Sequence, residues 1–262
     1  MIRIIILVLL LGTGLVVGGE EWPDFFDLPS LLITLGGTLT VTLLSFSWMQ
    51  LSELGRSLFA LFTEEQQSQQ ERIEELKRLS HLYRLEGPRG LENQENSVSD
   101  PFLRWGIGMV ADLQRGENIH RQLENEALVL FSQREAARQI LLTAGKLLPA
   151  FGLIGTLIGL LLLLHQIPNG DPNALASALS LAILSTLYGA LLANIVVLPL
   201  AAKLQSAGLE REAMMHLTLE GVVSMARGEA SATIERRLGA LFPTTQYGQS
   251  TAKTWRRLLP SP

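Results

Sequence analysis

Three hydroxyl side chains, Thr156, Ser185 and Thr186, sit inside runs that are otherwise almost wholly apolar. A hydroxyl in such a place can stand in for part of an ion's hydration shell or order a file of water, which points to ion passage rather than to bond-making chemistry. No ionisable side chain shares the middle of those runs; Lys146 and His165 lie towards opposite ends of the earlier one, where they can reach an interface. An ion relay normally keeps an ionisable group inside the bilayer, so a path lined here requires a carboxylate from another polypeptide. Helix packing alone is the competing account. Pro149, Gly152, Gly155, Thr156 and Gly159 fall at three- and four-residue spacings, as do Ala178, Ala182, Ser185, Thr186, Gly189 and Ala193, and faces without bulk let helices approach whether or not ions move. Pro149 and Pro199 each remove a backbone donor and permit bending, and a fixed kink would explain them equally. Cysteine is absent, which excludes disulfides, thiolate metal sites and a thiol nucleophile.

The elements that must position these groups are membrane spans. The chain has 262 residues, 47% hydrophobic and 18% charged, and its apolar residues are gathered in blocks longer than a soluble core needs. The blocks run from Ile2 to Gly19, Leu28 to Trp48, Leu147 to Ile167 and Ala174 to Leu200. The first, with only Arg3 ahead of it and no Ala-x-Ala site behind, reads as a retained helix rather than a cleaved leader. Two hairpins follow, one closed by the acidic linker Glu20 to Asp27, the other by Pro168-Asn169-Gly170-Asp171-Pro172.

The 21 Lys and Arg residues fit one orientation: Arg3 before the first span, eleven between Met49 and Thr143, Lys146 at the entry to the third span, eight after the fourth, and none in the short linkers. Basic residues collect on the cytoplasmic side, so both termini and the central segment are expected in the cytoplasm. The expected fold is all-α: a polytopic membrane protein with four transmembrane helices and a helical cytoplasmic domain. Its divisions are 2–48, a first transmembrane hairpin; 49–146, a cytoplasmic helical loop domain; 147–200, a second hairpin; and 201–262, C-terminal helices and a tail. In the loop domain Ile73, Leu76, Leu79, Leu82 and Tyr83 keep helical spacing, breaks fall at Gly87 to Gly90 and Ser97 to Pro101, and a helix from Ile119 to Leu142 leads into the third span. The net charge of -4 gives no reason to expect nucleic acid as a partner.

The run Pro149-Ala150-Phe151-Gly152-Leu153-Ile154-Gly155-Thr156-Leu157-Ile158-Gly159-Leu160 resembles the signature of the MotA/PomA family of flagellar stator subunits, in the MotA/TolQ/ExbB proton channel superfamily. So do Thr186-Leu187-Tyr188-Gly189, Ala193-Asn194, Pro199 to Leu204, Leu32 to Thr38 and Glu220-Gly221-Val222, and the likeness extends to about Phe242. The resemblance implies a stator subunit at the bacterial inner membrane, a mechanical converter rather than an enzyme, with no cofactor and with H+ or Na+ as the transported ion. It implies a homo-oligomeric ring of this chain, a pentamer, around a MotB/PomB-like single-span subunit that carries the ion-binding aspartate, and a rotor switch protein of the FliG kind as the load. Carried over residue by residue, Thr156 and Thr186 match pore-facing hydroxyls and Pro149 and Pro199 match the prolines that couple ion passage to conformational change. Arg84, Glu92 and Glu95 match rotor-contacting charges.

The sequence departs from the family pattern at Leu85, where a second basic residue often stands, and at Pro88, which interrupts the adjacent segment. The connection Asn96 to Asp100 is longer, Ser185 replaces a common threonine, and Ser231 stands where proline is frequent. An energiser of the ExbB/TolQ kind, driving a non-flagellar envelope machine, is the alternative; four spans and an internal N-terminus favour the stator, since those relatives have three spans and an external N-terminus.

Overall fold

The computed structural model describes residues 25–63 and 67–241. The expected first span from Ile2 to Gly19, most of its acidic linker, and the tail after Phe242 lie outside the described residues. Every regular element among the described residues is helical.

Helix α1, Leu28–Ser45, starts where the Asp27 carboxylate accepts the Ser30 N–H and Pro29 occupies the first turn, an arrangement that satisfies an orphan donor and spends no hydrogen bond on proline. Its stretch Leu32–Gly36 is wound as π-helix. Phe46 then turns extended, at φ -122° and ψ 146°, so the span stops short of the expected Trp48. Trp48 instead opens α2, Trp48–Thr63. Ser68 and Glu71 form a reciprocal cap for α3, Gln69–Glu86. Gly87 ends α3 at φ +69° and ψ -157°, a positive-φ conformation open to glycine, and Pro88 begins α4, Pro88–Glu95. The expected break at Gly87 to Gly90 therefore shrinks to one glycine, because proline's fixed φ suits a first helical turn. Asp100 caps α5, Pro101–Ala111, and α6 follows as Gly116–Gln166. Asp171 and Pro172 repeat the Asp-Pro start for α7, Pro172–Ala226, and α8 is Ser231–Leu241.

At 51 residues α6 is roughly 75 Å long. It runs through Pro149 without ending. In α7 the stretch Leu192–Val197 is π-helix. Among the described residues three helices, α1, α6 and α7, are long and apolar enough to cross a membrane.

The chain forms two compact units. One contains α1, residues 137–166 of α6 and residues 172–203 of α7. Its interior is lean in bulk: Thr34, Thr38, Ala178, Ala182, Ser185 and Ala193 are buried while Leu153, Leu157, Leu161 and Ile183 are exposed. That inversion is what a hydrocarbon solvent permits, since lipid competes for leucine and small residues take the interhelical contacts.

The other unit contains α3, α4, α5 and α8 with the outer lengths of α6 and α7. It has an ordinary hydrophobic core of Leu76, Leu79, Leu91, Leu103, Ile107, Leu123, Val222 and Leu238. Arg72 is buried within it, its Nη2 2.5 Å from Asp100 Oδ2, and Arg211 reaches the other oxygen of Asp100 at 3.7 Å. Lys77 bonds Glu235 of α8 at 2.6 Å, and that hydrogen bond holds the ammonium's proton above the ordinary lysine value.

Candidate ion path

Thr156 rides on α6, and Ser185 and Thr186 ride on α7. Glycine brings the two backbones together: a Cβ on Gly155 would lie 2.4 Å from Ser185 Cβ, and one on Gly159 would lie 2.6 Å from the Ala182 nitrogen. Real carbon atoms keep about 3.5 Å or more, so neither position accepts a side chain without separating the helices.

Close approach lets the hydroxyls meet. Thr156 Oγ1 lies 3.0 Å from the Ala182 carbonyl of α7 and 3.2 Å from the Gly152 carbonyl one turn back on its own helix. Ser185 Oγ is 3.2 Å from both of those carbonyls. Thr186 Oγ1 is 3.2 Å from the Gly152 carbonyl and is hydrogen-bonded directly to Thr156 Oγ1. Three hydroxyl protons thus share two carbonyls and one another. A hydroxyl that donates to a carbonyl turns its lone pairs outward, which is the arrangement a cation or a hydrogen-bonded water requires.

The trio divides by exposure. Ser185 is fully buried between the helices, Thr156 is half-buried, and Thr186 is exposed. Ser185 locks α6 to α7, and the Thr156–Thr186 pair is the part that reaches the surface of the hairpin. Among the described residues no group of three or more His, Cys, Asp or Glu side chains is placed to hold a metal ion.

Pro149 and Pro199 lie on the two helices of the same hairpin. Pro149 cannot donate to the carbonyl of Gly145, four residues back. A Cβ on Gly145 would lie 2.9 Å from Leu198 Cδ2, so Gly145 packs against the neighbour of Pro199. In α7 the Leu198 N–H donates to Ala193, five residues back, and Pro199, with no N–H to give, follows directly. Each of the two long helices thus lacks a backbone donor near the contact of Gly145 with Leu198.

Arg84, Glu92 and Glu95 lie in the other unit, apart from the hydroxyls and prolines. Arg84 is exposed in the last turn of α3, where a cation complements the helix dipole. Glu92 and Glu95 occupy α4 three residues apart; Glu92 is exposed, and Glu95 is half-buried over Gly108 of α5, where a Cβ would meet its Oε1 at 3.5 Å.

The sequence alone assigns no individual role to Ser30, Thr34 or Tyr188. In the structure all three join α1 to α7. Thr34 Oγ1 is 3.3 Å from the Ser185 carbonyl, Ser30 Oγ is 3.2 Å from the Leu181 carbonyl, and Tyr188 OH accepts the Asp27 N–H at 2.9 Å. The signal available was the spacing of Ser30, Thr34, Thr38 and Thr42, hydroxyls every fourth residue in an apolar run.

Comparison with known proteins fits this geometry. A profile of the MotA/TolQ/ExbB proton channel family matches residues 94–216. The chain is 31% identical to motility protein A of Borreliella burgdorferi, over 82% of each chain. It is 30% identical to YtxD of Bacillus subtilis, over 95% of this chain and 89% of that one. Among solved structures it is similar to the flagellar MotAB stator complex from Bacillus subtilis, at a TM-score of 0.82 and 27% identity, covering 95% of this chain and 97% of that one.

Proposed function

This chain belongs to the MotA/PomA group of the MotA/TolQ/ExbB proton channel family, and from that premise we propose that it is the A-type stator subunit of an ion-driven flagellar motor, working with a B-type partner. It is a mechanical converter and not an enzyme. The observation that carries the reading is the Thr156–Thr186 pair on two spans that contain no carboxylate between Leu147 and Ile167 or between Ala174 and Leu200. Hydroxyls alone can ease an ion through hydrocarbon but cannot hold and release a proton, so the titrating group comes from the partner.

In this account the partner's single span presents its aspartate to Thr156 and Thr186, with Ser185 behind them closing α6 onto α7. Loading and unloading of that aspartate with H+ or Na+ changes the charge beside the hairpin, and the paired interruptions at Pro149 and Pro199 let α6 and α7 bend in response. The chain makes four spans, with Ile2 to Gly19 as the first and both termini on the cytoplasmic side of the inner membrane. A pentameric ring of copies surrounds the partner, and Arg84, Glu92 and Glu95 meet a FliG-like rotor, where exposed charges attract and release a patterned surface.

The test is complementation. Expressed with its cognate B subunit in cells lacking a native A subunit, the chain restores swimming, and the double variant Thr156→Val with Thr186→Val abolishes it while membrane levels stay the same. Undiminished swimming by the double variant would remove the hydroxyl pair from the path.

A further inference from the structure

We infer that Thr34 is a positioning residue for the ion path, holding the turn of α7 that bears Ser185 and Thr186 against Gly152 of α6; the inference rests on the stator reading above. Thr34 is fully buried in the π-wound stretch of α1. Its single hydroxyl proton faces two acceptors, the Ser30 carbonyl of its own helix at 2.9 Å and the Ser185 carbonyl of α7 at 3.3 Å. Ser30 repeats the pattern one turn earlier, with the Asp27 carboxylate on its own segment and the Leu181 carbonyl on α7, 3.2 Å away. Leu181 and Ser185 are one helical turn apart, so successive hydroxyls of α1 take successive carbonyls of α7 and set the register between the two helices.

The Ser185 carbonyl is held from the other side as well. A Cβ on Gly152 would come within 2.9 Å of it, so this peptide lies between Thr34 of α1 and the bare backbone of α6. The Gly152 carbonyl is the acceptor that Thr156, Ser185 and Thr186 share, each at 3.2 Å. Moving the Ser185 peptide towards or away from α6 changes the Thr156–Thr186 contact, although Thr34 touches neither hydroxyl. Thr38 and Thr42 supply the contrast: they are buried on the same helix but donate to Thr34 and Thr38 of their own helix at 2.7 Å.

The experiment uses the complete stator in cells, reading rotation speed against coupling-ion concentration for Thr34→Val, Thr34→Ser and Thr38→Val. Interhelical hydrogen bonds in membranes have a mean strength that corresponds to roughly a threefold change in an equilibrium. Thr34→Val, which keeps the volume and loses the hydroxyl, shifts the half-maximal ion concentration by about that factor or more, whereas Thr34→Ser and Thr38→Val stay at the unmodified value. An unshifted Thr34→Val, or a Thr38→Val that shifts as far, overturns the inference. Should Thr34→Val not accumulate, Ser30→Ala loosens the same seam and is read by the same shift, with no shift again overturning it. If the unmodified chain fails to rotate the motor at all, it is the stator reading that falls, and the two failures are thereby distinct.

Discussion

Replacing Gly155 by Ala places one methyl group where α6 packs directly on Ser185 of α7. That methyl would lie 2.4 Å from Ser185 Cβ and 2.5 Å from its Oγ. A comfortable carbon contact is about 3.5 to 4.0 Å, so the helices must separate by about 1 Å; a rotamer change of Ser185 would move its Oγ and give up the contacts to Gly152 and Ala182 but would leave its Cβ in the way. Overpacking of this kind costs about 1–3 kcal/mol. Thr156 adjoins Gly155, and such a separation carries its hydroxyl out of reach of the Ala182 carbonyl, now 3.0 Å away across the helix pair. The expected outcome is a purified complex with a lower melting temperature and a motor with greatly reduced speed. The double variant Gly155→Ala with Ser185→Gly removes the obstructing atoms and recovers most of the stability, giving a large coupling energy in the double-mutant cycle. Full stability and speed in the single variant, or strict additivity in the double, would refute the helix contact on which the site is built.

Pro149→Leu or Pro199→Leu restores a backbone donor to each ladder and is expected to stop swimming without reducing membrane insertion; normal motility in either variant removes the coupling role. Charge reversal at Arg84 is expected to lower torque more than reversal at Arg121, measured by bead rotation under load, and equal effects would place the rotor contact elsewhere. Asp100→Ala leaves Arg72, 2% exposed, as a buried charge without its closest partner. It should destabilise the complex by about 3–5 kcal/mol, with Arg72→Met in the same chain recovering much of the loss; a thermal shift worth under about 1 kcal/mol would show that the pair is hydrated.

Much of this architecture is written locally in the chain. Asp27, Asp100 and Asp171, each followed within two residues by proline, mark helix starts that satisfy a backbone donor where proline needs none. The continuation of the polar helix into the third span is visible in unbroken periodicity, and the structure joins them as α6. The end of α1 at Ser45 was not visible, because Phe46-Ser47-Trp48 carries no glycine or proline and the break depends on Gln50, whose side chain accepts the Ser47 N–H at 2.9 Å. Pairing across the fold was still harder to read. Ser185 and Thr186 are neighbours in sequence but about 100° apart around α7, so one is buried and the other exposed only once α6 is in place. The seam between Thr34 and Ser185 joins positions 151 residues apart, and no local pattern specifies which carbonyl a buried threonine will find.

The ion site proposed for this chain is half of a two-chain site. Its most direct measurement is ion flux into liposomes containing the purified chain alone, or the chain assembled with its B-type partner, under an imposed membrane potential. No flux above empty liposomes is expected for the chain alone, whereas flux with the partner is expected and disappears when the partner's aspartate is replaced by asparagine. Sustained flux through the chain alone would contradict it.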